Sequence, residues 1–268
     1  MALIDTHCHL DYESFEEDRD EVVARAKAAG LVAIINPGTN VHSSRAALGL
    51  AEAHEIVYAA VGVHPNDAAE WDDGSLGQIA GLAEHPKAIA IGEIGLDYYR
   101  EWTPPESQHK IFRGQLGLAA ELGLPVIIHN RQAEDDIMTI LFEWQKQLEQ
   151  NRSPLAKRPG VLHSFGANLS FAEAALQHNF FIGLTGPLTF KNAPDLQDLA
   201  AQMPLEKLLV ETDSPYLSPH PLRGQRNEPG RVKLVAEKLA ELHGMAFEAM
   251  AEITTANARR LFGLGAAA

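Results

Sequence analysis

Short apolar runs alternate with longer amphipathic segments along the 268 residues of the chain. Eight of these runs are almost continuously hydrophobic, which is typical of parallel strands that are buried on both faces. The predicted strands are Ala2–Thr6, Leu31–Asn36, Ile56–Val63, Ala88–Ile91, Pro125–His129, Gly160–His163, Phe180–Leu184 and Lys207–Glu211.

Apolar residues at helical spacing fill the stretches between the strands. The predicted helices are Glu16–Ala29, Val41–Ala53, Ser75–Ala83, Glu106–Leu122, Gln132–Gln150, Leu169–Gln177, Leu196–Gln202, Gly230–Leu242 and Ala246–Leu261. Gly30 is well placed to end the first helix, and the two prolines after Thr103 are well placed to begin the fourth.

Strand–helix alternation repeated eight times predicts a parallel sheet. A single α/β barrel takes about 250 residues, which matches the length of the chain. We therefore predict a single-domain α/β protein, a TIM (β/α)8 barrel over residues 1–263, followed by a disordered tail at 264–268. An open doubly wound sheet is the alternative, although no glycine-rich phosphate loop follows the first strand.

Composition narrows the class of protein. The residues are 46% hydrophobic and 22% charged, and the net charge of −14 argues against a broad basic face for nucleic acid. A small local phosphate site remains compatible with that charge. The single cysteine, Cys8, excludes an intramolecular disulfide and suits a reducing compartment. With neither a signal-like nor a membrane-spanning run, we expect a cytoplasmic protein with no membrane contact and no obligate protein partner.

Two histidines, His7 and His9, close the first predicted strand. Side chains two positions apart share a face of a strand, with α-carbons about 6.6 Å apart. Both imidazoles can therefore reach one ion at the usual Zn–N distance of about 2.0–2.1 Å. With 12 histidines in 268 residues, this spacing also arises readily by chance, so the pair alone is a weak signal.

The distribution of the histidines is a stronger signal. His64, His129 and His163 also lie at the ends of predicted strands. In α/β barrels, the carboxyl ends of the strands form the active-site face. The histidines in helix or loop segments are predicted to lie at the surface; they are His42, His54, His85, His109, His178 and His243.

Two acids are predicted to join the histidines at this face. Glu93 follows the fourth strand and Asp213 the eighth. A carboxylate among apolar residues is costly unless it is paired or metal-bound, and no Arg or Lys is adjacent to either acid in sequence. A structural salt bridge is the alternative. Asp5 and Glu211 are predicted to support the ligands from behind, and Cys8 is predicted to be a small buried hydrophobe.

These residues lie in motifs that occur in one order along most of the chain. The motif segments are Ile4–Asp11, Gly62–Pro65, Gly92–Asp97, Pro125–His129, His163–Phe165, Glu211–Tyr216 and Arg226–Pro229. Together they resemble the motifs of the TatD family of metal-dependent deoxyribonucleases, and they span nearly the whole chain.

The resemblance implies a TIM barrel with two divalent metal ions and the hydrolysis of DNA phosphodiesters, commonly as a 3′-to-5′ exonuclease. The implied metal ligands are His7, His9, Glu93, His129, His163 and Asp213. Glu93 would bridge the two ions, and His64 matches a position near the substrate phosphate. The mixed nitrogen and oxygen donors suit Zn, Mn, Co or Ni, and Mg less well.

A mechanism follows as a hypothesis. Asp213 would hold the first ion with His7 and His9, and would orient or deprotonate the attacking water. Glu93 would join it to a second ion held by His129 and His163. A bound metal ion can lower the pKa of water from about 15.7 to about 7. Asp213 and Glu93 are therefore the predicted catalytic residues.

Substrate contacts are predicted from cationic and aromatic residues in the loops that follow the strands. Arginine binds phosphate in a bidentate manner, and aromatic rings stack on bases. The candidates are Arg131, Lys191, Arg223, Arg226, Arg231, Tyr98, Tyr99 and Trp102. Solvated loop charges and loop packing are the alternatives. We expect His64, Arg131, Tyr98 and Arg226 to bind substrate.

The expected substrate is DNA that is single-stranded or frayed at its ends. An amidohydrolase or lactonase acting on a small molecule with the same two ions is the first alternative, because a metal ion also polarises a carbonyl. A non-catalytic metal-binding or nucleic-acid-binding protein is the second.

Overall fold

A computed structural model describes residues 2–72, 74–100 and 102–265. It contains eight parallel strands in sequence order, each hydrogen-bonded to the next. The strands are β1 (Leu3–Asp5), β2 (Leu31–Pro37), β3 (Val57–Val61), β4 (Ala88–Asp97), β5 (Val126–Arg131), β6 (Gly160–Leu162), β7 (Phe181–Leu184) and β8 (Leu208–Val210). The Thr6 amide donates to the Val210 carbonyl (3.3 Å), and the Asp213 amide donates to that of His7 (2.9 Å). These bonds join the last strand to the first and close the barrel.

Helices follow the strands and cover the outside of the barrel. They are α1 (Arg19–Ala28), α2 (Val41–Ala53), α3 (Ser75–Ala83), α4 (Pro105–Leu122), α5 (Glu134–Gln150), α6 (Leu169–Gln177), α7 (Pro194–Gln202), α8 (Val232–Leu242) and α9 (Phe247–Phe262). The predicted single-domain TIM barrel is confirmed, and the open-sheet alternative is wrong.

Strand β4 is longer than its apolar run predicts. It continues to Asp97, which pairs with Arg131 of β5, so Glu93 lies within the strand and not after it. Gly95, with a φ of 147°, lies against the backbone of His129, where a β-carbon would overlap the His129 carbonyl. Glycine at this position therefore lets β5 approach β4 closely and brings His129 beside Glu93.

The core has two layers. Side chains from the outer face of the strands pack against the helices, while a smaller cluster fills the barrel. The inner cluster takes side chains from every strand, including Ile4 and Leu209, and ends on Leu261 and Phe262 of α9. Helix α9 thus covers the amino ends of the strands, which leaves the carboxyl ends for the loops.

The predicted tail, 264–268, is described only in part. Residues 266–268 lie outside the described residues, and Leu264 packs against the inner cluster. Among the helices described, none combines the length and the apolar character that crossing a bilayer requires.

Candidate metal centre

All six predicted ligands converge at the carboxyl ends of the strands. His7 and His9 follow β1, Glu93 lies in β4, and His129 lies in β5. His163 and Asp213 follow β6 and β8. A cavity of about 640 Å³ is lined by five of the six, and His7 is fully buried. A larger cavity of about 780 Å³ lies at the opposite end of the barrel, against α9.

Four side chains form a compact donor group, which we call the first cluster: His7, His9, Glu93 and Asp213. The Nε2 atoms of His7 and His9 are 3.2 Å apart. Glu93 Oε2 is 3.3 Å from His7 Nε2 and 3.7 Å from His9 Nε2. Asp213 Oδ1 is 3.9 Å from His7 Nε2 and 3.6 Å from His9 Nε2. Donors on one tetrahedral zinc at about 2.0–2.2 Å lie about 3.3–3.6 Å apart, so these spacings fit a single shared ion.

Asp213 reaches this group from a left-handed backbone conformation, with a φ of 53°. Aspartate is one of the few side chains that adopt this region readily. The backbone there is held by the bond from the Asp213 amide to the His7 carbonyl. The eighth strand end is thereby fixed beside the first.

The second oxygen of Glu93 faces a second cluster, formed with His129 and His163. Glu93 Oε1 lies 2.9 Å from His129 Nδ1 and 3.7 Å from His163 Nε2. One carboxylate therefore presents Oε2 to the first cluster and Oε1 to the second. This arrangement suits a carboxylate shared by two cations.

His64 differs from the other histidines, although its Nε2 is only 3.8 Å from Glu93 Oε1. The backbone amide of Asn66 donates to His64 Nδ1 at 3.0 Å, so Nδ1 carries no proton and Nε2 carries it. Burial lowers the pKa of His64 to about 3, and the neighbouring His129 adds to this effect. His64 is therefore a neutral hydrogen-bond donor beside the cavity, and its protonated Nε2 is unsuited to bind a metal ion.

Electrostatics within the site are dominated by the contact of acids with histidines. Burial alone would raise the pKa of Glu93, but His7 and His163 outweigh it and hold that pKa well below its usual range. Burial would likewise lower the pKa of His163, yet Glu211 and Glu93 raise it to about 10. Without a metal ion, His163 therefore carries a proton at neutral pH.

A buried acid supports His163 from behind. His163 Nδ1 lies 3.2 Å from Glu211 Oε1, which leaves Nε2 facing Glu93. Thr6 donates to the other oxygen of Glu211 at 3.1 Å. A β-carbon at Gly183 would overlap the Glu211 carboxylate, so glycine in β7 provides the space for it. Asp5 has a different role, because it accepts from the backbone amide (2.9 Å) and hydroxyl (2.6 Å) of Thr212 and contacts no ligand ring.

These donors fit divalent metal ions. The first cluster offers two imidazole nitrogens and two carboxylate oxygens, and the second offers two imidazoles and the other oxygen of Glu93. His7 Nε2 and His9 Nε2 face each other at 3.2 Å, and both Nδ1 atoms are buried without a partner among the described residues. A cation between the Nε2 atoms would replace their mutual contact with favourable coordination.

The predicted substrate residues are placed less uniformly. His64 and Arg131 line the cavity. Tyr98 does not, because its hydroxyl donates to Asp136 at 2.5 Å and contacts His109 at the same distance. Arg226 also lies away from the cavity.

The Arg226 guanidinium binds both carboxylate oxygens of Asp18 at 2.7 Å and lies 3.3 Å from Glu228. Among the remaining cations, Arg223 stacks on Phe190 and Arg231 donates to Ser218 at 3.0 Å. None of Arg223, Arg231 and Lys191 is among the described residues that line the cavity.

Several residues that line the cavity were not predicted: Tyr12, Asn66, Asp97 and Arg100. The Tyr12 ring stacks on His9 with 4.6 Å between centroids. Asp97 had a usable signal, because it ends the Gly92–Asp97 motif as a carboxylate after an apolar strand. Tyr12 and Arg100 lie in loops and Asn66 lies in a short 3-10 helix, and the sequence spacing there does not show where a side chain points. The six histidines predicted at the surface all lie outside this cavity, but only His42 is exposed and the other five are partly buried.

Comparisons with known proteins agree with this geometry. A family model described as TatD related DNase matches residues 4–263. The uncharacterized metal-dependent hydrolase YabD of Bacillus subtilis is 42% identical over 260 residues, which cover 97% of this chain and 98% of that protein. The 3′-5′ ssDNA/RNA exonuclease TatD of Salmonella typhimurium is 37% identical over 266 residues, with coverage of 97% and 98%. The crystal structure of YJJV, a TatD homologue from Escherichia coli, superposes with a TM-score of 0.90 at 34% identity and covers 98% of each chain.

Proposed function

Because this chain belongs to the family of TatD-related DNases and is a metal-dependent hydrolase, we propose that it removes nucleotides from the 3′ ends of DNA, at single-stranded or frayed termini. The observation that carries the proposal is the position of Glu93, between two donor clusters at the base of one cavity. That arrangement suits phosphodiester hydrolysis, in which an attacking and a leaving oxygen both need stabilisation.

The proposed ligands fall into two groups that share Glu93. His7, His9 and Asp213 would hold one divalent ion with it, and His129 and His163 would hold the other. The bound ions supply a more acidic water and positive charge for the phosphate. Asp213, whose side chain is 17% exposed against 4% for Glu93, is open to the cavity and is placed to accept the proton of the attacking water.

Two side chains of the cavity suit a phosphate. His64 presents a neutral Nε2–H, which donates to a phosphate oxygen without adding charge. Arg131 is the last residue of β5 and can bind phosphate with its planar fork of N–H groups. Both lie at the same cavity as Glu93.

The mouth of the cavity suits unpaired bases. We define the rim as Tyr99, Arg100, Trp102 and Arg131. Tyr99 and Trp102 are 52% and 63% exposed. The Arg131 guanidinium lies 3.8 Å from the Tyr99 ring centre, and that of Arg100 lies 5.1 Å from the Trp102 ring centre. Aromatic faces held beside arginines bind single strands without sequence preference.

An amidohydrolase or lactonase activity at the same ions is the second candidate. The rim favours the nuclease, because arginine and aromatic side chains match phosphates and bases, and a small carbonyl substrate needs neither. A purely structural metal site is disfavoured by the second cluster, which offers only three protein donors beside an open cavity, since structural zinc sites are closed by four protein ligands.

The test is hydrolysis by the manganese- or zinc-loaded protein, with a chelator control. The substrates are single-stranded DNA labelled at its 5′ or 3′ end, blunt duplex DNA, single-stranded RNA and a panel of amides and lactones. We expect 5′-labelled single strands to shorten stepwise and 3′-labelled strands to release labelled mononucleotide first. Internal cleavage, indifference to the chelator, or turnover of the carbonyl panel alone would overturn the proposal.

A further inference from the structure

Asp97 is a buried carboxylate at the end of β4, and it joins three parts of the site. Its exposed fraction is 1%. The backbone amides of Tyr99 and Arg100 donate to Asp97 Oδ1, each at 2.9 Å. The Asn66 side-chain amide donates to Oδ2 at 3.1 Å, and Oδ2 is 3.2 Å from His129 Nε2.

His129 consequently lies between two acids. Its Nδ1 faces Glu93 Oε1 at 2.9 Å, and its Nε2 faces Asp97 Oδ2. Asp97 already accepts from three other donors, the backbone amides of Tyr99 and Arg100 and the Asn66 side chain, which is the hydrogen-bond environment of an ionised carboxylate. With Glu93 engaged by the proposed ions, Asp97 Oδ2 would be the remaining carboxylate acceptor beside the ring, so the proton of a neutral His129 would stay on Nε2 and leave Nδ1 free.

We propose that Asp97 is a positioning residue of the second cluster: it holds the proton on His129 Nε2 so that Nδ1 is the metal ligand, and it fixes the rim loop with its other oxygen. The inference rests on the proposed metal centre and not on the choice of substrate. Glu211 has the corresponding role at His163, but at the other nitrogen: it is hydrogen-bonded to Nδ1 and leaves Nε2 for the ion. The two histidines thus use opposite nitrogens, and a buried acid selects each one.

The substitution Asp97→Asn separates the two roles. The Tyr99 and Arg100 amides require an acceptor, so the introduced amide keeps its oxygen toward them and turns its NH₂ toward His129. His129 Nε2 then has to accept, which moves the proton to Nδ1 and blocks coordination. Asn66 can adapt, because its Oδ1 has no partner among the described residues and can accept from the new NH₂ after a flip of the amide. The variant is therefore expected to fold with the rim loop in place.

The matched control is Asp136→Asn. Asp136 is also a carboxylate near this loop, and it binds Tyr98 and His109 without contacting a ligand of either cluster. Zinc and manganese titrations of the wild type and both variants are followed by calorimetry. We expect Asp97→Asn to lower the affinity for the second ion about 10–100-fold, the usual effect of losing a hydrogen-bonded partner of a metal ligand. The affinity of Asp97→Asn for the first ion, and its melting temperature, should equal those of the Asp136→Asn protein.

Long-range ¹H–¹⁵N spectra of the zinc-loaded proteins report which imidazole nitrogen carries the proton. If Asp97 had only a structural role, the substitution would leave this signal unchanged. The wild type should show His129 protonated at Nε2, and Asp97→Asn should lose that signal. Unchanged affinity for the second ion, or an unchanged His129 signal, would overturn the inference even if the wild type is an active nuclease. A wild type that binds a single ion would overturn the proposed two-ion centre as well.

Discussion

At the scale of single residues, the site is organised by which nitrogen of each histidine carries a proton. The backbone amide of Asn66 donates to Nδ1 of His64, so His64 can donate only from Nε2. Glu211 occupies Nδ1 of His163 and leaves its Nε2 for a metal ion. One hydrogen bond on the far side of each ring therefore sets what the other nitrogen offers the cavity, a donor in His64 and a free lone pair in His163, as their proposed roles require.

Asp213→Asn should abolish most of the turnover while preserving the fold. The amide keeps the shape of the side chain but cannot accept a proton from water, and removal of a positioned acid–base group usually costs about 10²–10⁴-fold. Initial rates on 3′-labelled single-stranded DNA measure the effect, and thermal unfolding is the control. Near-normal rates would refute the role of Asp213.

The proposed ligands could be predicted at the residue scale because the carboxyl halves of barrel strands, and the residues that directly follow them, all meet at one face. His7, His129 and His163 needed only the strand positions. The support from Asp97 could not be found in this way, because it depends on the path of the loop after β4. Tyr98 and Arg226 fail to reach the cavity for the same reason, since each is drawn to a partner elsewhere in the fold.

At the scale of elements, the segment between β4 and α4 lies at the mouth of the cavity, where Arg100 and Trp102 line it. It carries Tyr99, Arg100 and Trp102, and its first turn is fixed by Asp97. Gln108 of α4 accepts from the Asp97 amide at 2.9 Å and donates to the Thr103 carbonyl at 2.9 Å. Both ends of the loop are thus tied to α4, which holds the aromatic rings at the mouth.

Trp102→Ala should weaken the binding of single-stranded DNA by about 1–3 kcal/mol, the usual value of one base stacked on an aromatic ring. Trp102→Phe should retain most of the affinity because a π-face remains. Leu122→Ala is the matched control, since Leu122 is exposed but lies at the far end of α4. Fluorescence anisotropy with a labelled oligonucleotide and a catalytically inactive background measures all three. Equal affinities would exclude stacking at Trp102.

Arg226 and Arg131 should respond differently to replacement by alanine. Arg226 joins the segment before α8 to Asp18, just before α1, and partly exposed pairs contribute about 0.2–1 kcal/mol each. Arg226→Ala should therefore lower the melting temperature by a few degrees and leave KM unchanged. Arg131→Ala should raise KM and leave the melting temperature unchanged. Kinetics and calorimetry on both variants check the contrast, and the reverse pattern would restore Arg226 as the substrate contact.

The elements themselves could be predicted well from hydrophobic pattern, because strands buried on both faces must be apolar throughout. The clearest error is β4, where Glu93 interrupts the apolar run and hides the extension to Asp97. The residue that interrupts the run is the acid that faces both donor clusters. The hydrophobic pattern fails at this point because the cost of burying the Glu93 carboxylate is offset by histidines from other strands. The sequence of β4 alone does not reveal those histidines.

At the scale of the whole molecule, a net charge of −14 opposes the approach of a polyanion. Local charge near the cavity has the opposite sign once ions are bound, aided by Arg100 and Arg131. Affinity for DNA should thus depend on metal loading far more than on overall charge.

Metal removal should destabilise the protein more as the pH rises. Metal ions bind only the folded centre, so loading at 100 times the dissociation constant stabilises it by about 2.7 kcal/mol. In the metal-free protein, the pKa of His163 is raised from 6.5 to about 10. The stabilisation from that proton is complete below pH 6.5 and is lost as the pH rises toward 10. The ion displaces the same proton, so the stability of the loaded protein does not follow this decline.

The difference in the free energy of unfolding between the loaded and metal-free proteins should therefore increase by about 1.4 kcal/mol per pH unit for each displaced proton between pH 6.5 and 9. That corresponds to about 3–5 °C per pH unit for a chain of this size. Calorimetric scans at fixed free zinc and with chelator measure the gap, and proton release during zinc titration in two buffers counts the protons. His163→Asn should flatten the dependence because it removes the titrating group. A gap that stays constant with pH would show that the ion does not compete with a proton on His163, and would place the second ion elsewhere.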